Sequence, residues 1–155
     1  MSGVYYCNGV DDVETIGPNS NVGPYVFGGP AGDTSPPVCS VYGSVLPAVG
    51  AKIAADGANS GELRNLPVWA NNAYITEPGG CGAFVQHMVE IPASYNGVTV
   101  CQPGDSGGPF MQHTPSNFNN VYAVADADVI EGSGCYGEAI EQETADSNTY
   151  LMIVP

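Results

Sequence analysis

This chain of 155 residues has almost no positive charge. Lys52 and Arg64 are its only basic residues beside 16 acidic ones, for a formal net charge of −14. Nucleic-acid affinity rests on Lys and Arg neutralising phosphates, so such a surface repels a phosphate backbone. Anionic lipid headgroups are repelled for the same reason. Neither nucleic acid nor membrane is expected as a partner, and the acidity reads as solubility in a secreted or acid-exposed protein. No apolar run approaches the 18 residues of a membrane-spanning helix. The N-terminus lacks the basic flank and apolar stretch of a signal peptide, so a leader for secretion would lie outside these residues. There is no N-x-S/T sequon. The five cysteines, Cys7, Cys39, Cys81, Cys101 and Cys135, include no C-x-x-C pair, which argues against zinc. Histidine is scarce as well, with only His87 and His113.

Turn formers, by contrast, are abundant. The chain has 21 Gly and 13 Pro and no long helical periodicity, so it reads as all-β, with short strands joined by turns. Its length fits one domain, or a domain plus an arm. Residues 1–37 read as an extended, irregular arm, interrupted at Gly17-Pro18, Gly23-Pro24, Gly28-Gly29-Pro30 and Pro36-Pro37. Within it only Pro24-Tyr25-Val26-Phe27 has the character of a strand. Residues 38–155 form the domain proper. Val38 to Val45 and Gly50 to Ala54 read as a strand pair around Pro47. Leu66 to Ala70 and Ala73 to Ile75 flank an Asn71-Asn72 turn. Ala83 to Ile91, Asn120 to Ala127 and Thr149 to Val154 are further strands. Asn96-Gly97, ahead of a β-branched run, is a strong short-range hairpin signal. Some six short strands at this spacing predict a small antiparallel barrel. Widely spaced cysteines in such a chain suit disulfides in an oxidising compartment. The odd count leaves one thiol free or paired with another chain.

The chemistry concentrates in Cys101-Gln102-Pro103-Gly104-Asp105-Ser106-Gly107-Gly108-Pro109-Phe110. Glycine permits positive φ and close approach of backbone N–H groups to a ligand. Acyl transfer needs a nucleophile beside an oxyanion site made of such donors. The N–H groups of Gly104 and Ser106 converge on one oxygen if the loop curls. Asp105 then points away, and a buried carboxylate there needs a cationic partner. The competing reading is a Gly/Pro turn that holds a serine by chance, and a string of this length makes it a poor one. An α/β-hydrolase elbow is disfavoured, because a helix follows the serine there and Gly107-Gly108-Pro109 opposes one.

The segment resembles the nucleophile loop of the chymotrypsin-like serine proteases of the trypsin and streptogrisin type. Val129-Ile130-Glu131-Gly132-Ser133-Gly134-Cys135 is similar to that family's substrate-lining V-S-W-G-x-G-C strand. Asn148 to Val154 is similar to its closing strand, and Pro37-Val38-Cys39-Ser40 faintly resembles the start of the second barrel in bacterial members. The resemblance implies a six-stranded Greek-key barrel, the C-terminal half of the family's fold. It implies Ser106 as nucleophile, Gly104 and Ser106 as oxyanion-hole donors, and Asp105 as the carboxylate that shapes the loop. It implies a Cys101–Cys135 disulfide and a substrate cleft at Thr99, Val100, Gln102, Ile130, Glu131 and Gly132. No cofactor or metal is implied, and the expected partner is a peptide or protein substrate.

The pattern also breaks. A serine nucleophile needs a base, usually a histidine oriented by a carboxylate. The family carries both in an upstream barrel, and no Ala-Ala-His-Cys-like motif stands here. His113 reads as an exposed loop histidine and His87 as a core-edge or surface one, so neither is assigned a catalytic role. Each barrel needs roughly 100 residues, more than residues 1–37 supply. Ile130-Glu131 replaces the Ser-Trp pair, removing support for the triad's carboxylate and placing a charge where substrates pack. Thr99-Val100 gives no acid ahead of Cys101, so nothing supports a preference for Lys or Arg substrates. The cation for Asp105 would be Arg64 or an N-terminus made by processing. Two readings follow. The chain is the nucleophile half of a secreted serine endopeptidase that needs a separate His/Asp-bearing half. Alternatively, it is a catalytically inactive homologue acting as a binding, structural or assembly module through an apolar face.

Overall fold

In a computed structural model, residues 3–7, 12–16, 23–76, 84–141, 144, 151, 153 and 154 are described. Thirteen strands occur among them. They are β1 (Gly3–Cys7), β2 (Asp12–Ile16), β3 (Tyr25–Phe27), β4 (Val38–Ser44), β5 (Lys52–Gly57), β6 (Gly61–Pro67) and β7 (Ala70–Thr76). After these come β8 (Phe84–Pro92), β9 (Ser94–Tyr95), β10 (Val98–Thr99), β11 (Pro109–Thr114), β12 (Asn117–Glu131) and β13 (Gly134–Ala139).

Seven of these strands form one continuous path in the order β6-β5-β11-β12-β13-β8-β7, each paired antiparallel to its neighbour. The two ends of that path are consecutive in sequence. Val68 donates its N–H to Ala51 O and accepts from Gly50 N–H, so it still pairs with the β5 side. The next residue, Trp69, donates to Glu90 O on β8. The sheet must therefore curl until its edges meet. Counted as one bent strand, β6 and β7 close a six-stranded barrel, as the strand spacing predicts.

Alternation along the strands divides the side chains between two faces. Inward, Ile53, Ala55, Leu66, Val68, Val89, Ile91, Phe110, Val124 and Ala125 make the main core with Cys101 and Cys135. On the other face, Ala54, Met111 and Val121 pack with Cys39 and Val41 of β4 and with the partly buried Val26, Ala123 and Leu151. This second cluster explains a pairing that the sequence misplaces. β4 does not form a hairpin with β5. Its apolar residues bury on the outer face, where β4 runs parallel to the first part of β12 and antiparallel to β3. A second surprise lies near the N-terminus. The backbones of β1 and β2 pair from Gly3–Ile16 to Cys7–Asp12, a hairpin inside the segment expected to be irregular. Asn71-Asn72, expected as a turn, lies within β7, because the change of partner at Val68–Trp69 redirects the chain without one.

The Asn96-Gly97 turn joins β9 to β10 as expected, with φ of 52° and 80° at its two residues. Of the expected closing strand, Val154 N–H donates to Val41 O and Leu151 packs on the outer cluster. Residues 145–150, together with Cys7's side chain, Cys81 and the His87 side chain, lie outside what is described.

Candidate active site

The loop expected to carry the nucleophile, residues 102–108, spans the gap between Cys101 and β11. Gly104 has φ of 97° and Gly107 of 79°, so the two glycines turn the backbone on either side of Asp105-Ser106. The turn is pinned at four points. Asp105 N–H donates to Gln102 O and Gly108 N–H to Asp105 O. Gly107 N–H donates to Ala127 O, and Ala127 N–H returns to Gly108 O. Ser106 is thereby left exposed at the apex, while Asp105, its neighbour, is only 4% exposed.

No cation pairs with the Asp105 carboxylate among the described residues, contrary to the sequence-based expectation. Its Oδ1 accepts from the N–H groups of Asn59 at 2.7 Å and Ser60 at 3.1 Å. Its Oδ2 accepts from the Ser60 hydroxyl at 2.5 Å and from Gln102 N–H at 2.9 Å. Burial alone would push this carboxyl up. The bonds from Ser60, Asn59 and Gln102 outweigh burial and hold it below the usual carboxylate range. Arg64 is committed elsewhere, to Glu62 through both Nε and Nη2. Three of the four donors to Asp105 come from the turn between β5 and β6, Ala58-Asn59-Ser60, and Asn59 also ties Pro103 O through its Nδ2 at 2.8 Å. Gly57 and Gly108 make this proximity possible. A Cβ on Gly57 would lie 2.2 Å from the Asp105 Cγ, and one on Gly108 2.2 Å from Asp56 O.

Beside Ser106 opens a pocket of about 240 Å³, lined by Cys101, Gln102, Pro103, Asp105, Ala127, Ile130 and Cys135 as well as Ser106. The disulfide Cys101–Cys135 forms one side of it and joins the start of the Ser106 loop to β13. Gln102 and Ile130, both expected in a substrate cleft, meet here. The other four residues expected there do not line this pocket. Val100 is buried in the barrel core, Thr99 is exposed on β10, and Glu131 and Gly132 are exposed at the turn into β13.

Asp56, on β5 next to this site, was not singled out by the sequence. Burial, reinforced by the nearby carboxylates of Glu62 and Asp105, pushes its carboxyl up to about 6. His113 also departs from expectation. It sits in β11, and its side chain is 9% exposed. Its Nε2 lies 2.7 Å from Glu62 Oε1 and its Nδ1 2.5 Å from Phe118 O. Four residues beyond Pro109 in an extended strand put it about 13 Å further from the Ser106 loop, so it does not reach Ser106. Among the described residues, no three His, Cys, Asp or Glu side chains gather as a metal-holding group.

No protein-family model matches the chain. No curated protein matches it either. Solved structures do. The chain is similar to Thermobifida fusca protease A, with a TM-score of 0.70 and 19% identity over 98% of this chain and 75% of that one. It is similar to the chymotrypsin of Cellulomonas bogoriensis, with a TM-score of 0.69 and 17% identity over 98% of this chain and 76% of that one. A Nocardiopsis protease matches with a TM-score of 0.69 and 18% identity over 97% and 73% of the two chains. The similarity extends over nearly all of this chain, including β1 to β3, and over about three quarters of each relative. With its six-stranded closure, the chain has the fold of the bacterial chymotrypsin-like serine proteases.

Proposed function

We propose that this chain is the nucleophile-bearing part of a secreted serine endopeptidase. The observation that carries the reading is the placement of Ser106, exposed on a glycine-turned loop at the mouth of a disulfide-walled pocket. In the proposed reaction the Ser106 Oγ attacks the carbonyl carbon of a peptide bond. A C–O bond forms, the carbonyl electron pair moves onto oxygen, and the N–H groups of Gly104 and Ser106 receive that oxyanion. The Ser106 proton passes to a histidine base supplied by a separate His/Asp-bearing half, which returns it to the nitrogen as the C–N bond breaks. Water then hydrolyses the acyl ester by the same route. The pocket, with Ile130 and the disulfide for walls, suits a modest uncharged side chain. Alone, the chain should be nearly inert, because Asp105 only shapes the loop and His113 is bound to Glu62 and Phe118 O.

Labelling with a fluorophosphonate probe tests this reading. In the presence of the complementary half, modification should map to Ser106 and vanish in Ser106→Ala. A Ser106 that stays unlabelled with that half bound would sink the catalytic reading.

The second reading, an inactive homologue that binds another protein, is favoured by one observation. An apolar pocket of about 400 Å³ lies beside Gly107 and Pro109, lined also by Phe27, Phe110, Met111 and Leu151. An uncovered apolar surface of this kind favours association. Sedimentation that finds only a monodisperse monomer, with or without candidate partners, would count against it.

A further inference from the structure

Lys52 and Arg64, the only two basic residues in a chain of net charge −14, line the same pocket. His113, Asn65, Phe118, Ile53 and Ala54 complete it, around a volume of about 390 Å³. We infer that this pocket is a binding site for a monoanionic carboxylate that carries an apolar, aromatic-sized group. It is separate from the nucleophile loop. β5 begins at Lys52 in this pocket and ends at Gly57 beside Asp105, five residues and about 17 Å away. The inference does not rest on the protease reading.

Geometry argues for the anion. Both cations are held in place by contacts that leave donors over. The Arg64 guanidinium lies 5.3 Å over the Phe118 ring and gives Nε and Nη2 to Glu62. That uses two of its five N–H groups. The Lys52 ammonium lies 5.4 Å over the Tyr95 ring and gives one long bond, 3.5 Å, to the Tyr95 hydroxyl. Stacking on aromatic rings fixes long side chains that would otherwise lose rotamer entropy on binding. Elsewhere the acidic surface repels anions, so a pocket lined by both of the chain's basic residues is where a carboxylate meets positive charge.

The rest of the lining argues for a single charge and an apolar body. Glu62 is one carboxylate already inside the cluster, its side chain 2% exposed and engaged by Arg64, His113 and Gly29 N–H. A dianion would meet its charge at close range, whereas a monoanion is repelled less. Phe118 is 61% exposed at the rim and gives the pocket its accessible apolar surface. A flat apolar group can cover that ring and be buried against it.

The test is a two-dimensional amide NMR titration of the full chain at pH 7. The probes are phenylacetate, its neutral isostere phenylacetamide, and inorganic phosphate. Phenylacetate should give saturable shifts at the amides of Ala54 and Asn65 and at the Arg64 side chain. Phenylacetamide and phosphate should each bind at least about tenfold more weakly, the loss of one charge-assisted contact or of the apolar one. Lys52→Gln, at an exposed position, should weaken phenylacetate about tenfold with the spectrum otherwise unchanged, and Phe118→Ala should weaken it independently. Equal binding of the neutral amide, tighter binding of phosphate, an unaffected K52Q variant, or the absence of saturable shifts would each overturn the assignment.

Discussion

The hydroxyl of Ser60 donates to the carboxylate of Asp105 at 2.5 Å, joining the turn between β5 and β6 to the residue beside Ser106. Two segments 45 residues apart in sequence thus share one buried carboxylate. The loop's shape depends on neutral donors, where a cation was expected. That distinction has consequences that can be measured.

Replacing Asp105 by Asn keeps one acceptor but turns an N–H₂ group toward Ser60 and Gln102 N–H. The variant should lose about 2–3 kcal/mol of stability at pH 7, the range for hydrogen bonds to a charged group. The carboxyl is depressed in the folded chain, so its contribution is full above the unfolded value and is lost as pH falls through the lower folded one. Urea unfolding from pH 7 downward should show the gap between the two proteins closing below about pH 4.

Asp56 has the opposite sign. Its carboxyl is raised to about 6 in the folded chain, from an ordinary value of 3.8. The folded state then holds the proton more tightly, so stability falls as pH rises from about 4 to about 6. Asp56→Asn should abolish that fall. The variant should match the parent near pH 4 and exceed it at pH 7 in denaturant unfolding, and equal stability at both pH values would refute the assignment.

The Cys101–Cys135 bridge closes a segment with a sequence separation of 34. Loop entropy of that size corresponds to about 3–4 kcal/mol. Replacing Cys135 by Ser should reduce the unfolding free energy by that order. It should also broaden the amide signals of Gln102 and Ile130, which line the pocket that the bridge walls.

Two glycines separate crowding from backbone strain. A Cβ at Gly57 would fall 2.2 Å from Asp105 Cγ, whereas Gly97, at φ of 80°, has nothing within 4 Å of the added atom. Gly97→Ala should cost about 1 kcal/mol, the penalty of a left-handed backbone. Gly57→Ala should cost more, about 2–3 kcal/mol, by pushing the Asp105 carboxylate off its donors. Thermal unfolding of the two variants side by side measures the difference.

What could be read from the sequence was mainly local. Asn96-Gly97 forms its hairpin because both residues tolerate positive φ, a property of the residues themselves. The glycines around Ser106 and the pairing implied for Cys101 and Cys135 are likewise visible as short strings. The partners of buried polar groups were not visible. Arg64 stood out as a cation for Asp105, yet Glu62, two residues before it, takes its guanidinium. A cue existed in Gly57-Ala58-Asn59-Ser60-Gly61, a turn whose Asn and Ser are donors suited to a carboxylate. Only the antiparallel closure brings that turn to Asp105. His113 was misjudged for the same reason. A lone histidine in sequence has no visible partner, and its carboxylate lies 51 residues away.

The bent strand from Gly61 to Thr76 makes the barrel a ring with one covalent joint between its two edges. Cutting the backbone between Val68 and Trp69 would remove no side chain from the core, yet it would allow the sheet to unroll. Once unrolled, the free sides of β6 and β7 would be open sheet edges, whose N–H and C=O groups invite pairing with other chains. Protease nicking or circular permutation at that point would therefore turn a closed, self-contained sheet into a template for aggregation.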